Sequence, residues 1–409
     1  AGCSPRITGS DRLIFKRMKK SVLLILTPFL ALSCIQHGEH NGYMRKAEEA
    51  FGNVWKCYRI PEYGLFSEYY PNSYKPDLDY FDDGAHQAQE SSFLWPMSGV
   101  FSSTVMLAKA EPRKYMPYLD SMVTAMEQYY DTTRVPFAYQ AYPTRFDRVD
   151  RYYDDNGLVG IDYIDTYSIT HNPSHLEKAK QILSFILSGW DDRFEGGVPW
   201  VEGKKDQKPA CSNGKAMVLA LKLHEATGDE YYLETGERIY RWIRKYLLDR
   251  ERNIIMNAWI TEGEGHAQFD PYTYNTGTSI QAAAYLYKVT GKQSYLDEAL
   301  ALCKGSAEYF FHHTEDGIPF TDNIPWFDVV LLRGYQSVWE ITGDRQYVDI
   351  LITALDKAWE VARDANGLIC NDWTGRKDEM RKPKWLLDSS CIPEFLVRAA
   401  LINGEIKIR

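Results

Sequence analysis

Two consecutive aspartates, Asp154 and Asp155, stand directly before a stretch of about fifteen residues that carries little charge. A pair of carboxyl groups held close together is the minimum equipment for cleaving a glycosidic bond. Consecutive helical residues point about 100° apart, so at a helix start the two carboxyl groups are expected on the order of 5 Å from each other. That separation suits a retaining double displacement, because an inverting enzyme needs room for water between its acids.

Two acids at a helix start are also a common cap, so the residues alone leave a structural role open. The helix N-terminus favours the anionic form of one aspartate, and that charge opposes ionisation of the other. One nucleophile and one proton donor follow from this asymmetry, although it does not decide which aspartate is which. The doublets Asp82-Asp83 and Asp191-Asp192 lie in loop-like segments and are most simply turn or cap residues.

The element that positions the acid pair belongs to an internal repeat. Residues 169–173, 226–229, 289–292 and 341–344 share one pattern in which Thr precedes Gly or a polar residue, and residues 109–112 are a degenerate copy. Successive copies are 52–63 residues apart, enough for one helical hairpin and a loop. A Gly suits a left-handed helix C-terminus, and a following Asp, Asn or Ser caps the next helix.

The two helices of each repeat differ in charge and so sort into layers. Helices after the turn are amphipathic, whereas those before it, such as residues 216–221 and 274–287, carry almost no charge. With a first helix near residues 43–57 and a last near 386–402, about twelve helices form six pairs. We therefore predict an all-α (α/α)6 toroid of six helical hairpins. A linear solenoid is the alternative, because periodicity does not show that the ring closes.

Counting back 14 residues from each turn reaches positions 96, 156, 213, 276 and 328, which we expect at the starts of the inner helices. Asn156, Asn213 and Asn275 are therefore expected to meet at one end of the toroid, around a cleft. For each of them ordinary helix capping is the alternative role.

The acid pair and its neighbours resemble a known family. The run Tyr152-Tyr153-Asp154-Asp155-Asn156-Gly157-Leu158-Val159-Gly160-Ile161-Asp162-Tyr163 is similar to the catalytic segment of glycoside hydrolase family 76, the endo-α-1,6-mannanases, which share the (α/α)6 fold. Residues 95–102, 189–192, 196–200, 210–213 and 272–275 look like further segments of that family. Gly157, where the family often has Ala, and Trp326-Phe327-Asp328 depart from its pattern, so substrate contacts near the latter are left open.

The resemblance implies a retaining, endo-acting hydrolase of α-1,6-linked mannan. It makes Asp154 the nucleophile and Asp155 the general acid/base. No metal-ligand cluster occurs in the sequence, so we expect neither a metal nor a cofactor. The candidate substrate-binding residues are Trp95, Tyr153, Asn156, Trp200, Asn213, Tyr274 and Asn275. Two alternatives remain: an (α/α)6 hydrolase of another sugar linkage, and a surface lipoprotein that binds glycan without cleaving it.

The amino-terminal residues resemble an export signal. Residues 18–33 join a basic start to a short apolar run, which predicts a bacterial signal peptide with Cys34 as the candidate lipidation site. Residues 1–17 are interpreted as an upstream extension, and residues 43–409 as the hydrolase domain. We expect an exported protein, attached to the envelope only through a lipid anchor at Cys34, on the periplasmic or the outer side.

The composition excludes some partners. Residues 1–33 hold six Lys or Arg and one Asp, so the formal charge of −9 becomes −14 without them, which argues against nucleic acid and anionic lipid as partners. Five cysteines remain beyond Cys34, widely spaced and without a metal-ligand pattern, and we expect them to be small buried apolar residues. No linker-like stretch divides the chain, so we expect one domain and a monomer.

Overall fold

The computed structural model describes residues 42–408, all within one packed unit. The extension at residues 1–17, the signal peptide at 18–33 and Cys34 lie outside the described residues. The described part of the chain contains thirteen α-helices, which are α1 (Tyr43–Tyr58), α2 (Leu94–Ala110), α3 (Pro112–Met126), α4 (Tyr153–Thr170), α5 (Pro173–Ser188), α6 (Ala210–Thr227), α7 (Glu230–Tyr246), α8 (Thr273–Thr290), α9 (Gln293–Phe310), α10 (Pro325–Thr342), α11 (Gln346–Val361), α12 (Leu386–Ser390) and α13 (Ile392–Ile402).

The inner helices form a closed ring. Helix α2 packs against α4, α4 against α6, α6 against α8, and α8 against α10, and the ring is completed by α13, which contacts both α10 and α2. The predicted (α/α)6 toroid is therefore confirmed, and the linear solenoid is excluded.

Each inner helix has one outer partner. Five pairs are consecutive in sequence, with α3, α5, α7, α9 and α11 packed on the inner helix that precedes each of them. The sixth pair joins the two ends of the described chain, because α1 packs on α13. The Glu405 carboxylate strengthens that closure by accepting hydrogen bonds from the backbone N–H groups of Tyr43 and Met44.

Burial follows the predicted layers. Inner helix α8 buries residues on all its faces, whereas outer helix α7 buries one stripe that includes Ile239, Tyr240 and Ile243. Only an inner helix is covered on all sides, which explains the lack of charge in its sequence.

The repeated Thr-Gly turns connect inner to outer helices as expected. His171, Gly228, Gly291 and Gly343 end the inner helices in the left-handed conformation. The preceding Thr hydroxyls, as at Thr227, donate to the carbonyl four residues earlier and accept from the N–H two residues later.

Two boundaries differ from the predictions. The inner helices begin two or three residues before the predicted positions. The last predicted helix is two helices, α12 and α13, because Pro393 has no N–H with which to bond the Ser389 carbonyl and so interrupts the helical ladder at Cys391.

Short antiparallel strands and 3₁₀ turns fill the connecting loops. The strand pairs are Arg59–Ile60 with Leu65–Phe66, Tyr69–Tyr70 with Lys384–Trp385, Asp77–Leu78 with His86–Gln87, Tyr130–Asp131 with Ala138–Tyr139, Leu248–Asp249 with Ile254–Ile255, and His312–His313 with Pro319–Phe320, and the central strand Ala258–Ile260 pairs with both Gln207–Pro209 and His266–Gln268. The 3₁₀ turns are Glu127–Tyr129, Arg193–Glu195 and Glu379–Arg381. Among the described residues, no helix combines the length and apolarity that a membrane crossing requires.

Candidate active site

The second residues of five inner helices converge on one cavity of about 280 Å³. The toroid places the starts of the inner helices on a common rim, so side chains at equivalent positions face the same space. These residues are Trp95, Asp154, Cys211, Tyr274 and Trp326. The same cavity is also lined by Asp155, Trp200 and Lys215.

The first turn of α4 is held to the surrounding loops by its own side chains. The Asn156 amide donates to the carbonyls of Tyr139 and Tyr152 and accepts from the Tyr139 N–H. The Tyr153 N–H donates to the Trp200 carbonyl, which brings the Trp200 loop over the helix start. The helix start that carries the acid pair is therefore fixed on two sides.

The start of α6 is held to its preceding loop in the same way, by Asn213. The Asn213 amide accepts from the Val198 N–H and donates to the carbonyls of Val198 and Pro209. Asn156 and Asn213 are both fully buried, and the hydrogen bonds of each side-chain amide join a helix start to the loop before it. We call these two residues the asparagine brackets.

Asp154 receives hydrogen bonds on both carboxyl oxygens. The Trp200 indole N–H donates to Oδ2 at 3.1 Å, and the Asp155 backbone N–H donates to Oδ1 at 3.0 Å. The pKa of Asp154 is raised because the site is desolvated, but hydrogen bonds from Cys211 and Trp200 and the charge of Lys215 oppose that rise.

Asp155 has a different environment. No group in the described part of the chain donates a hydrogen bond to its carboxyl oxygens. Desolvation, and then the charge of Asp154, hold its pKa well above the usual range. Desolvation therefore acts on both acids, but of the two Asp154 is the one with described partners that favour its anion, so Asp155 binds a proton more tightly than Asp154 does.

Lys215 and Cys211 lie on α6 facing the acid pair, and neither was among the predicted site residues. The Lys215 ammonium is buried and has no hydrogen-bond partner, and burial lowers its pKa to about 8. Cys211, which we had expected to be a buried apolar residue, is partly exposed in the cleft, and the interaction of its thiol with Asp154 favours the anion of that carboxyl. The signal for Lys215 was a lysine in the first half of an inner helix, among small and apolar residues.

Aromatic side chains form the walls of the cleft. The Trp95 ring lies parallel to Phe327 at 6.0 Å and edge-on to Trp326 at 5.7 Å. On its other side Trp95 meets Tyr80 edge-on at 5.2 Å. Trp326, Phe327 and Tyr80 were not among the predicted site residues, although the register of the helix starts pointed to Trp326.

The structure brings together some of the predicted substrate-binding residues and not others. Trp95, Trp200 and Tyr274 line the cleft with the acid pair. The other four do not line the cleft: Tyr153, Asn156, Asn213 and Asn275.

Tyr153 faces about 100° away from Asp154, as the helical turn requires, and packs on Phe185 and Gly189. The side-chain amides of Asn156 and Asn213 form hydrogen bonds with backbone groups and so are not available to a substrate. Asn275 is buried, its amide has no partner among the described residues, and it does not line the cleft. The residue of α8 that matches Asn156 in register is Thr276 and not Asn275.

The competing acid doublets have loop roles. Asp82 forms an ion pair with Lys204, and Asp83 bonds to His86. Asp191 caps the Arg193 N–H and pairs with Lys208. Neither doublet lines the cleft, and residues 42–408 contain no group of three His, Cys, Asp or Glu suited to a metal ion.

The sequence model of glycosyl hydrolase family 76 matches residues 46–379. The chain belongs to this family. Its fold agrees with solved family 76 structures: it superposes on a mannosidase of the family from Bacteroides thetaiotaomicron with a TM-score of 0.79 at 25% identity, covering 89% of this chain and 99% of that one.

Two further relatives match at lower identity or over a shorter stretch. An α-1,6-mannanase of family 76 from Salegentibacter sp., solved as an inactive variant with α-1,6-mannotriose, has a TM-score of 0.70 at 22% identity over 88% of this chain and 99% of that one, and so shares the fold. Mannan endo-1,6-alpha-mannosidase DFG5 of Candida albicans is 28% identical over 173 residues, 39% of this chain and 38% of that protein. The match therefore spans little more than a third of that curated relative.

Proposed function

We propose that this glycoside hydrolase cleaves α-1,6-mannosidic bonds inside mannan backbones with retention of anomeric configuration. The observation that carries the proposal is the unequal acid pair at the floor of an aromatic cleft. Trp200 and the Asp155 backbone N–H donate to the Asp154 carboxyl oxygens, whereas no group among residues 42–408 donates to the Asp155 carboxyl. A charged nucleophile next to a protonated acid is the arrangement that double displacement needs.

In the first step the Asp154 carboxylate attacks the anomeric carbon and forms a glycosyl ester. The bond from that carbon to the glycosidic oxygen breaks, and the Asp155 carboxyl transfers its proton to the departing oxygen. Asp155 is then an anion beside a neutral ester, so the repulsion that raised its pKa has gone.

In the second step a water molecule gives a proton to Asp155 and its oxygen attacks the anomeric carbon. The ester bond breaks and Asp154 leaves as a carboxylate, which restores both acids to their first protonation states. Two inversions at one carbon give net retention.

The comparisons support mannan as the substrate. The Candida albicans relative is named a mannan endo-1,6-alpha-mannosidase, and the Salegentibacter structure holds α-1,6-mannotriose in a variant inactivated at two consecutive aspartates. The rings of Trp95, Trp200 and Tyr274 along the cleft are suited to stacking on sugar faces.

The test compares the wild type with Asp154→Asn and Asp155→Asn on unbranched α-1,6-mannan, with product sizes followed by chromatography. Each change is expected to lower kcat by roughly 10²-fold or more, because it removes the nucleophile or the proton donor. Asp192→Asn, at an exposed acid of another doublet, is the matched control and should keep full activity.

Three outcomes would overturn the proposal. Substantial activity in folded Asp154→Asn would remove the nucleophile assignment, and cleavage of a different linkage in preference to α-1,6 would change the substrate. Binding of mannooligosaccharides by the wild type with no product over long incubation would instead favour a glycan-binding protein.

For the location of the protein we propose export with a lipid anchor at Cys34, which rests on the sequence of residues 18–34. Metabolic labelling with radioactive palmitate in a bacterial host should mark the wild type and leave Cys34→Ala unmarked. Equal labelling of the two would contradict the anchor. We further propose a monomer, which sedimentation would verify at the mass of one chain.

A further inference from the structure

Lys215 is a buried lysine beside the cleft, without a hydrogen-bond partner among residues 42–408. It is 2% exposed, and in that part of the chain no acceptor lies within hydrogen-bond distance of Nζ. Two other buried lysines differ from it, since Lys208 and Lys384 each donate to three or more oxygens. An unpaired buried ammonium is costly, so its persistence next to an acid pair points to a role there.

The surroundings hold the ammonium beneath the cleft floor. Nζ lies 4.6 Å from the centroid of the Tyr274 ring and 5.5 Å from that of Trp326, so the two ring faces offset part of the desolvation. On the α4 side, a Cβ at Gly157 would stand 2.5 Å from the Lys215 Cβ. The missing side chain of Gly157 therefore lets the lysine stem lie against the turn that carries Asp154.

The charged groups around Lys215 favour one acid over the other. Asp154 faces it from α4, the Cys211 thiol from its own helix and Arg333 from α10, while α8 presents the neutral Tyr274. The charge of Lys215 opposes the rise in the pKa of Asp154 that desolvation causes, whereas the pKa of Asp155 is governed by desolvation and by the charge of Asp154.

We infer that Lys215 is a positioning residue for hydrolysis, whose fixed positive charge under the cleft floor holds the negative charge of the acid pair on Asp154. This inference rests on the proposed function. Lys215 forms no ion pair with Asp154 within 4.0 Å, so its ammonium does not block attack by the Asp154 carboxylate. The same charge favours the departure of Asp154 as a carboxylate in the second step.

The test is the pH dependence of kcat/KM for an α-1,6-mannooligosaccharide in Lys215→Met and Lys215→Arg. In a retaining mechanism the acid limb reports ionisation of the nucleophile. Without the charge, that limb should move to higher pH by roughly one unit, and kcat below the optimum should fall about tenfold with KM little changed. Lys215→Arg keeps the charge and should keep the limb near the wild-type position.

Lys222→Met is the matched control, because it makes the same change near the other end of α6, where Lys222 pairs with Asp165. Its pH profile should overlay that of the wild type. Lys215→Gln serves as a second neutral variant if Lys215→Met fails to fold. Gly157→Ala, which crowds the lysine stem without removing the charge, should give a smaller shift in the same direction.

The inference is wrong if a folded neutral variant has an acid limb that overlays the acid limb of the wild type. That result is distinct from failure of the proposed function, in which Asp154→Asn itself keeps its activity. If Asp154→Asn is inactive and Lys215→Met has the wild-type profile, the nucleophile assignment stands and only the role of Lys215 is wrong.

Discussion

The Asp154 carboxyl accepts hydrogen bonds from Trp200 and from the Asp155 backbone, whereas no described group donates one to the Asp155 carboxyl. Two side chains of the same chemistry thereby receive different pKa values. The repeat pattern located the pair at an inner-helix start, and the resemblance supplied their roles. The sequence did not reveal which loop would deliver a donor to Asp154, because Trp200 lies 46 residues away along the chain.

Trp200→Phe tests that donor while keeping an aromatic ring in the cleft wall. Loss of the indole N–H removes one of the groups that stabilise the Asp154 anion, so we expect kcat to fall about tenfold and the acid limb of the pH profile to move to higher pH. KM should change by less than about threefold because the ring remains. A raised KM with unchanged kcat would instead mean that Trp200 serves only as a sugar platform.

Three of the predicted residues reach the cleft because their position in an inner helix sets the direction of the side chain. Trp95 and Tyr274 are second residues of inner helices, as is Asp154, and all three reach the cleft. Asn156 and Asn213 were assigned to sugar binding because they occupy the same rim. Their amides instead satisfy loop backbone, and loop conformation is not encoded in helical periodicity.

At the scale of elements, the two asparagine brackets predict a contrast in stability. Asn156→Ala and Asn213→Ala each leave buried backbone groups of a loop without partners, so each should lower the free energy of unfolding by about 1–3 kcal/mol. Asn275→Ala removes an amide that has no partner, and should cost less. Denaturant midpoints of the three variants provide the comparison, and an equal cost for all three would contradict the bracket role.

Glu68 connects three elements of the cleft wall. Its buried carboxylate accepts from the Tyr80 hydroxyl at 2.8 Å, the Trp385 indole at 2.6 Å and the Phe93 N–H at 2.9 Å. Tyr80 and Trp385 both meet Trp95 edge-on. A single carboxylate therefore sets the position of the aromatic wall that faces Asp155.

Replacement of Glu68 should separate binding from chemistry. Glu68→Leu frees the wall, so we expect KM for α-1,6-mannooligosaccharides to rise roughly fivefold to tenfold with kcat changed little. Glu68→Gln keeps an acceptor oxygen and should recover most of the affinity. A fall in kcat with unchanged KM in folded Glu68→Leu would show that the wall does not bind substrate.

At the scale of the whole molecule, the ring closes through the two ends of the described chain. The repeat predicted the number and the layering of the helices because each inner helix has to be apolar on every face. It did not predict closure, which depends on packing of α1 and α2 against α13, nor the break at Pro393.

Buried acids make the stability of the toroid depend on pH. Desolvation raises the pKa of Asp388 to about 7, and one of its oxygens has no partner. In the unfolded chain this carboxyl ionises near pH 4, so the stabilising effect of its neutral folded form is lost as pH rises from about 4 to about 7.

Asp388→Asn removes this pH dependence. The free energy of unfolding of the variant, relative to the wild type, should therefore increase between pH 4 and pH 8 by an amount on the order of 2–4 kcal/mol. Urea midpoints at the two pH values measure this difference. A difference between variant and wild type that is constant with pH would show that Asp388 is ionised in the folded protein throughout.

The measurement that tests the central claim most directly is the anomeric configuration of the first product. Proton NMR of wild-type protein with an α-1,6-mannooligosaccharide, recorded before mutarotation, distinguishes the two anomers at the new reducing end. Attack by Asp154 followed by water predicts that the α-anomer forms first and the β-anomer only later. A β-anomer at the earliest times would show a single displacement by water and would contradict the nucleophilic role of Asp154.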